Sequence, residues 1–204
     1  MASEAEKWQE RFSREGYWAG AEPAAFVKEC LPLLPKGGSL LELAMGEGRN
    51  AVYLAEQGFR VTGVELTAAG LKKAEGLAKE RHVHVERAES NKPKRAPDSA
   101  GLLLVQSDLE AAPLPAGPFD IVVCVNFLLR RLLAAIPRVL RPGGFLLYET
   151  YTIDQLNFEG GPRSPEYLLQ PGELRDVFSG LNLLFYRECK AGKSIASLLA
   201  HKPT

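Results

Sequence analysis

One stretch, Leu40–Leu66, decides the fold; it reads LLELAMGEGRNAVYLAEQGFRVTGVEL. A short apolar run suited to a buried strand meets Gly46-Glu47-Gly48, a helical pattern opens near Asn50, and a second apolar run closes at Glu65. Glycines at 46 and 48 admit the positive φ that a tight strand-to-helix turn demands, and they let the backbone approach a ligand closely. The N–H groups of the helix's first turn have no intrahelical partner and face the same space. Glu65 follows Gly46 by 19 residues, at the end of the second strand, where a carboxylate can accept hydrogen bonds from both hydroxyls of a ribose. Together these features predict a nucleoside site.

The same alternation runs outward from that stretch. Strands are expected at Ser39–Ala44, Arg60–Glu65, Leu102–Ser107, Phe119–Val125 and Phe145–Thr150, and their near-continuous apolarity suits a sheet covered on both faces. Asn50–Gln57, ending at Gly58, and Ala68–Arg81, with Thr67 as N-cap and Leu71, Ala74 and Ala78 on one face, read as crossover helices. A third helical stretch, Phe127–Leu140, contains Pro137 as a kink or restart and is stopped by Pro142-Gly143-Gly144. Upstream, Pro23–Leu34 reads as an amphipathic helix with Phe26, Val27, Cys30 and Leu31 inward, preceded by the aromatic residues Trp8, Phe12, Tyr17 and Trp18. Leu181–Glu188 and Ser194–His201, joined by Lys190-Ala191-Gly192-Lys193, read as an antiparallel hairpin. Glu86–Gly101 reads as a solvated surface insertion, and Ile153–Pro171 as a long connection placed where active-site lids often lie.

Composition limits the partners. With 46% hydrophobic and 25% charged residues the chain has the balance of a globular protein. Lys+Arg 25 cancels Asp+Glu 25, so the basic excess on which nucleic-acid and anionic-membrane binding rely is missing. A small-molecule partner is expected, with no nucleic acid and no membrane. The first residues have no apolar core of a signal peptide, and no stretch reaches the roughly 18 apolar residues of a membrane span, so a cytoplasmic location is expected. Cys30, Cys124 and Cys189 lie far apart and read as reduced thiols. His82 and His84 lack a third ligand nearby, so no metal is expected.

Two cofactor classes fit the glycine turn. Gly46-Glu47-Gly48-Arg49-Asn50-Ala51 satisfies the dinucleotide pattern, which keeps an NAD(P)-dependent oxidoreductase open. Glu42, just before the turn, suits a cationic ligand group and would repel a pyrophosphate, and Glu47 inside the turn points the same way. A ligand with a nucleoside at one end and an ammonium at the other is indicated.

Glu42-Leu43-Ala44-Met45-Gly46-Glu47-Gly48, Glu65, Ser107-Asp108-Leu109, Phe119-Asp120 and Leu140-Arg141-Pro142-Gly143-Gly144 resemble the ordered motifs of class I S-adenosylmethionine-dependent methyltransferases. Gly46–Ala55, Tyr167-Leu168-Leu169 and Pro171-Gly172-Glu173-Leu174 are most similar to the tellurite-resistance-type (TehB-like) branch. The resemblance implies an α/β fold: a Rossmann-like seven-stranded mostly parallel sheet with helices on both faces and a C-terminal antiparallel hairpin. It spans one domain, 1–204, divided into a cap (1–38), a cofactor-binding core (39–150) and a substrate-side segment (151–204).

The resemblance also implies S-adenosyl-L-methionine as cofactor, with roles for individual residues. Glu42 and the Ala44–Gly48 turn would cradle its methionine part, with Arg49 and Asn50 at the helix head. Glu65 would hold the ribose and Asp108 the adenine amino group, Leu66 and Leu109 would sandwich the ring, and Asn126 and Phe127 would lie beneath the sulfonium. Ala44 stands where the family usually has glycine, and tighter packing is the expected result. Asn126 is also expected to cap the following helix, and Asp120, at the far end of its strand, is expected to be structural.

In-line methyl transfer asks the protein mainly for alignment and a dry site, so a general base is optional. Arg130 and Tyr151 are the candidates for touching the acceptor, without an assigned catalytic role; Tyr17 and Trp18 either close over the cofactor or seal the core. The expected function is methyl transfer to a small molecule, such as a thiol or metalloid oxyanion. A non-catalytic cofactor-binding scaffold is the second alternative.

Overall fold

A computed structural model describes residues 3–88 and 97–204. The chain divides into two compact units, Met1–Ala116 and Gly117–Thr204.

The first unit holds strands β1 (Ser39–Leu43), β2 (Arg60–Glu65), β3 (Val85–Arg87) and β4 (Gly101–Gln106), all parallel and ordered β3-β4-β2-β1. Helices α3 (Arg49–Glu56) and α4 (Ala68–Glu80) are the crossovers. Their apolar faces are buried: Ala51, Val52, Leu54 and Ala55 on α3, and Leu71, Ala74, Leu77 and Ala78 on α4. Burial of each leucine contributes about 1.5–3 kcal/mol. The local signals act as read. Thr67 Oγ1 accepts from Gly70 N at 3.1 Å, and Gly58 ends α3 with φ +90°.

Two further α-helices precede β1. Helix α1 (Glu4–Ser13) packs on α4, and α2 (Ala25–Cys30) buries Phe26, Val27 and Cys30. The sequence carried a signal for α1 in Ser3-x-x-Glu6, a reciprocal capping box: Glu6 N donates to Ser3 Oγ at 3.2 Å and Ser3 N to Glu6 Oε2 at 2.7 Å.

The second unit holds β5 (Phe119–Val125), β6 (Leu140–Tyr151), β7 (Asn182–Lys190) and β8 (Ser194–His201), ordered β5-β6-β8-β7. β5 and β6 are parallel, while β8 runs antiparallel to both β6 and β7. The fold is therefore α/β, mostly parallel, with the expected antiparallel hairpin at its end.

Three expectations need correction. The described strands number eight, not seven, because β3 runs across the start of the supposed insertion. Its three residues are half-buried to exposed, so the sequence shows no apolar pattern there; the ladder bonds Leu102 N to His84 O (2.8 Å) and Ala88 N to Leu104 O (2.9 Å) flank it. Residues 89–96 of that insertion lie outside the described residues.

The single helix expected over Phe127–Leu140 is two short ones, α5 (Arg130–Leu133) and α6 (Ile136–Val139). Tyr148 Oη donates to Phe127 O at 2.9 Å and Leu129 is extended, which delays the start, while Pro137 sits in the first turn of α6. Finally, Pro142-Gly143-Gly144 does not end a helix but lies inside β6, where Gly143 N donates to Lys202 O (2.9 Å) and Lys202 N to Gly144 O (2.8 Å).

Candidate cofactor site

The turn after β1 is built from backbone conformation first. Ala44, Gly46 and Gly48 have φ of +50°, +59° and +85°. Met45 N donates to Val64 O at 2.9 Å, which carries the β1–β2 ladder into the turn, and Val52 N donates to Gly48 O at 2.8 Å as α3 begins. Glycine is required at 48 twice over, since an added Cβ would come 2.6 Å from Ala74 Cβ. Ala44 departs from the expectation of mere tight packing: a left-handed non-glycine residue costs roughly 1–2 kcal/mol, so the substitution for glycine is carried as backbone strain.

Two buried carboxylates flank this turn within the first unit. Glu65 Oε2 accepts from Gly46 N at 3.0 Å, while Oε1 accepts from Thr67 N at 2.9 Å and Thr67 Oγ1 at 2.8 Å. The Leu66 N–H bonds the same carboxylate, so its roughly four acceptor positions face four donors from Gly46, Leu66 and Thr67. Burial raises its pKa and these donors oppose the rise.

Glu42 is 2% exposed. Its Oε1 accepts from Asn50 Nδ2 at 3.0 Å, while Oε2 is buried without a partner. Burial pushes its pKa up to about 7 against the Asn50 and Ala51 donors and the Arg49 charge. A buried acceptor without a donor costs roughly 1–3 kcal/mol, and a cationic ligand group would relieve it.

Other residues expected at the cofactor have additional work. Glu47 does not face the ligand space as an unbalanced charge: Trp18 N donates to Oε2 at 2.6 Å and Lys73 Nζ to Oε1 at 2.7 Å. Its part in the charge argument against a pyrophosphate therefore falls away, and Glu42 alone carries that argument. Lys73 also donates to Arg14 O at 2.7 Å and to Gly16 O. Arg49 Nη1 donates to Ala19 O at 3.0 Å, and Asn50 Oδ1 accepts from Ala24 N at 2.8 Å.

Phe12 is the aromatic residue buried over the turn, with Cζ 3.3 Å from where a Cβ on Gly46 would lie. Trp18 is 57% exposed and does not seal the core; its ring instead lies 4.5 Å from the Arg11 guanidinium carbon. Sequence reasoning missed Lys73, for which no motif signals, and Gly70, where a Cβ would come 3.0 Å from both Glu65 Cγ and Gly46 O.

The carboxyl end of β4 adjoins Glu65 through Ser107 N to Glu65 O at 3.0 Å, and Gln106 Nε2 donates to Leu66 O at 3.2 Å. Leu109 is buried. Asp108 is exposed and its Oδ1 accepts from Glu110 N at 2.7 Å.

In the second unit, Asn126 is exposed with φ +58° and donates its N–H to Glu149 O at 2.8 Å. It does not cap α5, whose N-cap is Leu129. Arg141 pairs with Asp120, which gives that aspartate a structural contact. Arg130 is engaged throughout: Nε and Nη2 reach both Glu173 oxygens (2.7 and 2.9 Å), Nη1 reaches Glu166 O (2.8 Å) and Nη2 reaches Leu168 O (2.8 Å). It fastens the long connection after β6 with four of its five N–H groups. Tyr151 is half-buried and its carbonyl accepts from Leu169 N at 3.0 Å. Glu149, buried with Oε2 accepting from Ser197 Oγ at 2.6 Å, was not anticipated. His84 Nε2 lies 2.8 Å from Glu86 Oε1 on the surface, and Cys30, Cys124 and Cys189 form no disulfide.

Residues 41–148 match a family described as a methyltransferase domain. The chain belongs to that family. Membership implies S-adenosylmethionine as the cofactor, which selects between the two classes left open by the glycine turn. The residues present fit it: an unpartnered buried carboxylate oxygen at Glu42 for its ammonium, and a second carboxylate, Glu65, at the end of β2 beside the turn for its ribose.

Among similar proteins, a putative methyltransferase, YqeM, of Bacillus subtilis is 30% identical over 128 residues, covering 58% of this chain and 44% of that protein. A phthiotriol/phenolphthiotriol dimycocerosates methyltransferase of Mycobacterium tuberculosis is 35% identical over 119 residues, covering 55% and 37%. The chain thus spans less than half the length of these curated relatives. The crystal structure of TehB from Haemophilus influenzae aligns with a TM-score of 0.69 at 17% identity, covering 96% of this chain and 67% of that one, a likeness of fold. Among the described residues no helix is long and apolar enough to cross a membrane.

Proposed function

We propose that this protein catalyses methyl transfer from S-adenosylmethionine to a small-molecule acceptor in the cytoplasm, with residues 1–204 working as one methyltransferase domain. The observation that carries the reading is the buried, unpartnered Glu42 Oε2 beside the Gly46–Gly48 turn in a chain of the methyltransferase family. The family match runs from residue 41 to 148 and so draws on both compact units. The zero net charge favours a small acceptor over a nucleic acid.

When bound, the cofactor supplies a methyl carbon already activated by its sulfonium. Glu42 would hold the cationic end and Glu65 the ribose, with Gly46 and Gly48 giving the backbone close approach. Leu66, Asp108 and Leu109 are the proposed adenine contacts, and Asn126 the proposed contact near the sulfonium. Phe12, buried over the turn, excludes water there, which suits an in-line displacement in a dry site. The acceptor needs no proton removed if it is a thiolate or an oxyanion.

Calorimetry with S-adenosylhomocysteine and with NADH tests the cofactor, and labelled-methyl transfer over a panel of small thiols, metalloid oxyanions, amines and carboxylates tests the reaction. Binding of the homocysteine product with labelled product from one acceptor class is expected. Tight NADH binding without S-adenosylhomocysteine binding would overturn the reading, and cofactor binding without transfer to any acceptor would leave a scaffold in its place.

A further inference from the structure

We propose that Asn50 is a positioning residue: its amide holds Glu42 in place through one carboxylate oxygen, leaves the other free for the cationic end of the cofactor, and ties that carboxylate to the N-terminal segment through Ala24. The identity of the ligand rests on the methyltransferase reading; the action of Asn50 on Glu42 does not.

Asn50 is 3% exposed, and both ends of its amide are in use. Nδ2 donates to Glu42 Oε1 at 3.0 Å and Oδ1 accepts from Ala24 N at 2.8 Å. The two partners make opposite demands, a carboxylate needing a donor and a backbone N–H needing an acceptor, so the amide has one satisfactory orientation. Aspartate would set two buried carboxylates against each other, and leucine would serve neither partner. Three elements are joined in this way: β1 through Glu42, α3 through Asn50, and the N-cap of α2 through Ala24. An amide so engaged supports the cofactor through Glu42 rather than as a ligand in its own right.

Asn50 also bears on the charge of Glu42. Its hydrogen bond favours the ionised form against burial, joined by the Ala51 N–H and the charge of Arg49 from the same helix. The neighbouring carboxylates are engaged elsewhere, Glu47 with Lys73 and Glu65 with Gly46 and Thr67. On the N-terminal side Lys28 pairs with Glu22. Loss of the Asn50 donor therefore favours protonation of Glu42, which would deprive a cationic ligand of its counter-charge.

The test compares the wild-type protein with N50L, A24P, E42Q and the E42Q/N50L double variant. The Glu42 carboxyl is followed by carbon-13 NMR without ligand, assigned by its loss in E42Q, and S-adenosylhomocysteine affinity is followed by calorimetry from pH 6 to 8.5. N50L should raise the Glu42 midpoint by about one pH unit. Apparent affinity scales with the ionised fraction, so the loss is about fivefold at pH 7 and less than twofold at pH 8.5. A24P removes the backbone donor at a φ of −57° that already suits proline, and should shift the midpoint in the same direction by less. N50L should leave the pH profile of E42Q unchanged, since that profile reports only the ligand's own titration.

An unmoved midpoint in N50L, or an affinity loss equal at every pH, would overturn the proposal and leave Asn50 a packing residue. If N50L does not fold, an unmoved midpoint in A24P has the same force. Absence of S-adenosylhomocysteine binding by the wild type would instead overturn the cofactor reading while the NMR midpoints still decide the role of Asn50.

Discussion

Replacing Glu42 by glutamine should change the pH dependence of folding in a defined direction. Glu42 is 2% exposed and burial pushes its pKa up to about 7 from the ordinary 4.5. At 1.36 kcal/mol per unit this difference is worth about 3 kcal/mol, with no discount for solvent because the side chain has almost none around it. Below pH 4.5 both folded and unfolded chains hold the proton and Glu42 exacts no penalty. Between pH 4.5 and 7 the unfolded chain ionises while the folded one resists, so stability falls as pH rises, and above 7 the penalty is complete.

Glu65 is shifted the same way, while Glu6, Glu22, Glu75 and Glu173, whose hydrogen-bond partners lower their pKa, act in the opposite sense. All are common to wild type and variant and cancel in the difference. Urea unfolding of both proteins at pH 4, 6, 7 and 8, followed by circular dichroism, should therefore show the stability of E42Q relative to wild type rising by about 3 kcal/mol across the range. The offset at pH 4 measures the fit of the glutamine amide and has no bearing on the slope. A rise below about 1 kcal/mol would refute the claim that β1 carries a carboxylate held against its own burial.

Three further outcomes follow from the turn. K73M should cost about 2–3 kcal/mol in urea unfolding, because Glu47, with 4% side-chain exposure, keeps only the Trp18 N–H; trypsin should then cut faster at Arg11 and Arg14, and an unchanged midpoint would count against this role for Lys73. A44G should gain about 0.5 kcal/mol, the relief of a +50° φ less the added freedom of glycine in the unfolded chain, whereas a loss of about 1 kcal/mol would show that the methyl packs. G48A should lose about 3 kcal/mol or more from the 2.6 Å approach to Ala74 and the +85° φ; G48A/A74G should recover the packing part only, and full recovery would remove the backbone from the account.

The parallel core was legible because its strands are covered and apolar and its turns need glycine: Ser39–Leu43, Arg60–Glu65 and Phe119–Val125 fall within a residue of their expected bounds. The helix expected over Phe127–Leu140 failed for a reason no local pattern contains. Its apolar spacing is helical, but a hydroxyl 21 residues away, on Tyr148, takes the Phe127 carbonyl. The edge strand β3 was invisible because an exposed strand of three residues needs no apolar alternation. Of the site, Glu42, the glycine turn and Glu65 could be read from type and spacing. Lys73 could not, since its partners include the carbonyls of Arg14 and Gly16, about sixty residues earlier, and carbonyls carry no side-chain signature.

The polar residues at the head of α3 then acquire a common explanation. Glu47 takes the Trp18 N–H, Arg49 donates to the Ala19 carbonyl, and Asn50 takes the Ala24 N–H, so neighbouring residues of the turn hold the N-terminal segment between Trp18 and Ala24. Gly46 and Gly48, interleaved with them, supply the positive φ of the turn and leave room for Phe12 and Ala74. Two tasks are thus divided by residue type within one turn: glycines give it its conformation and admit its packing neighbours, and polar residues bind the N-terminal segment. β1 and that segment meet at Asn50, which reaches both Glu42 and Ala24, so order in the N-terminal segment and the readiness of Glu42 to receive a cation depend on the same amide.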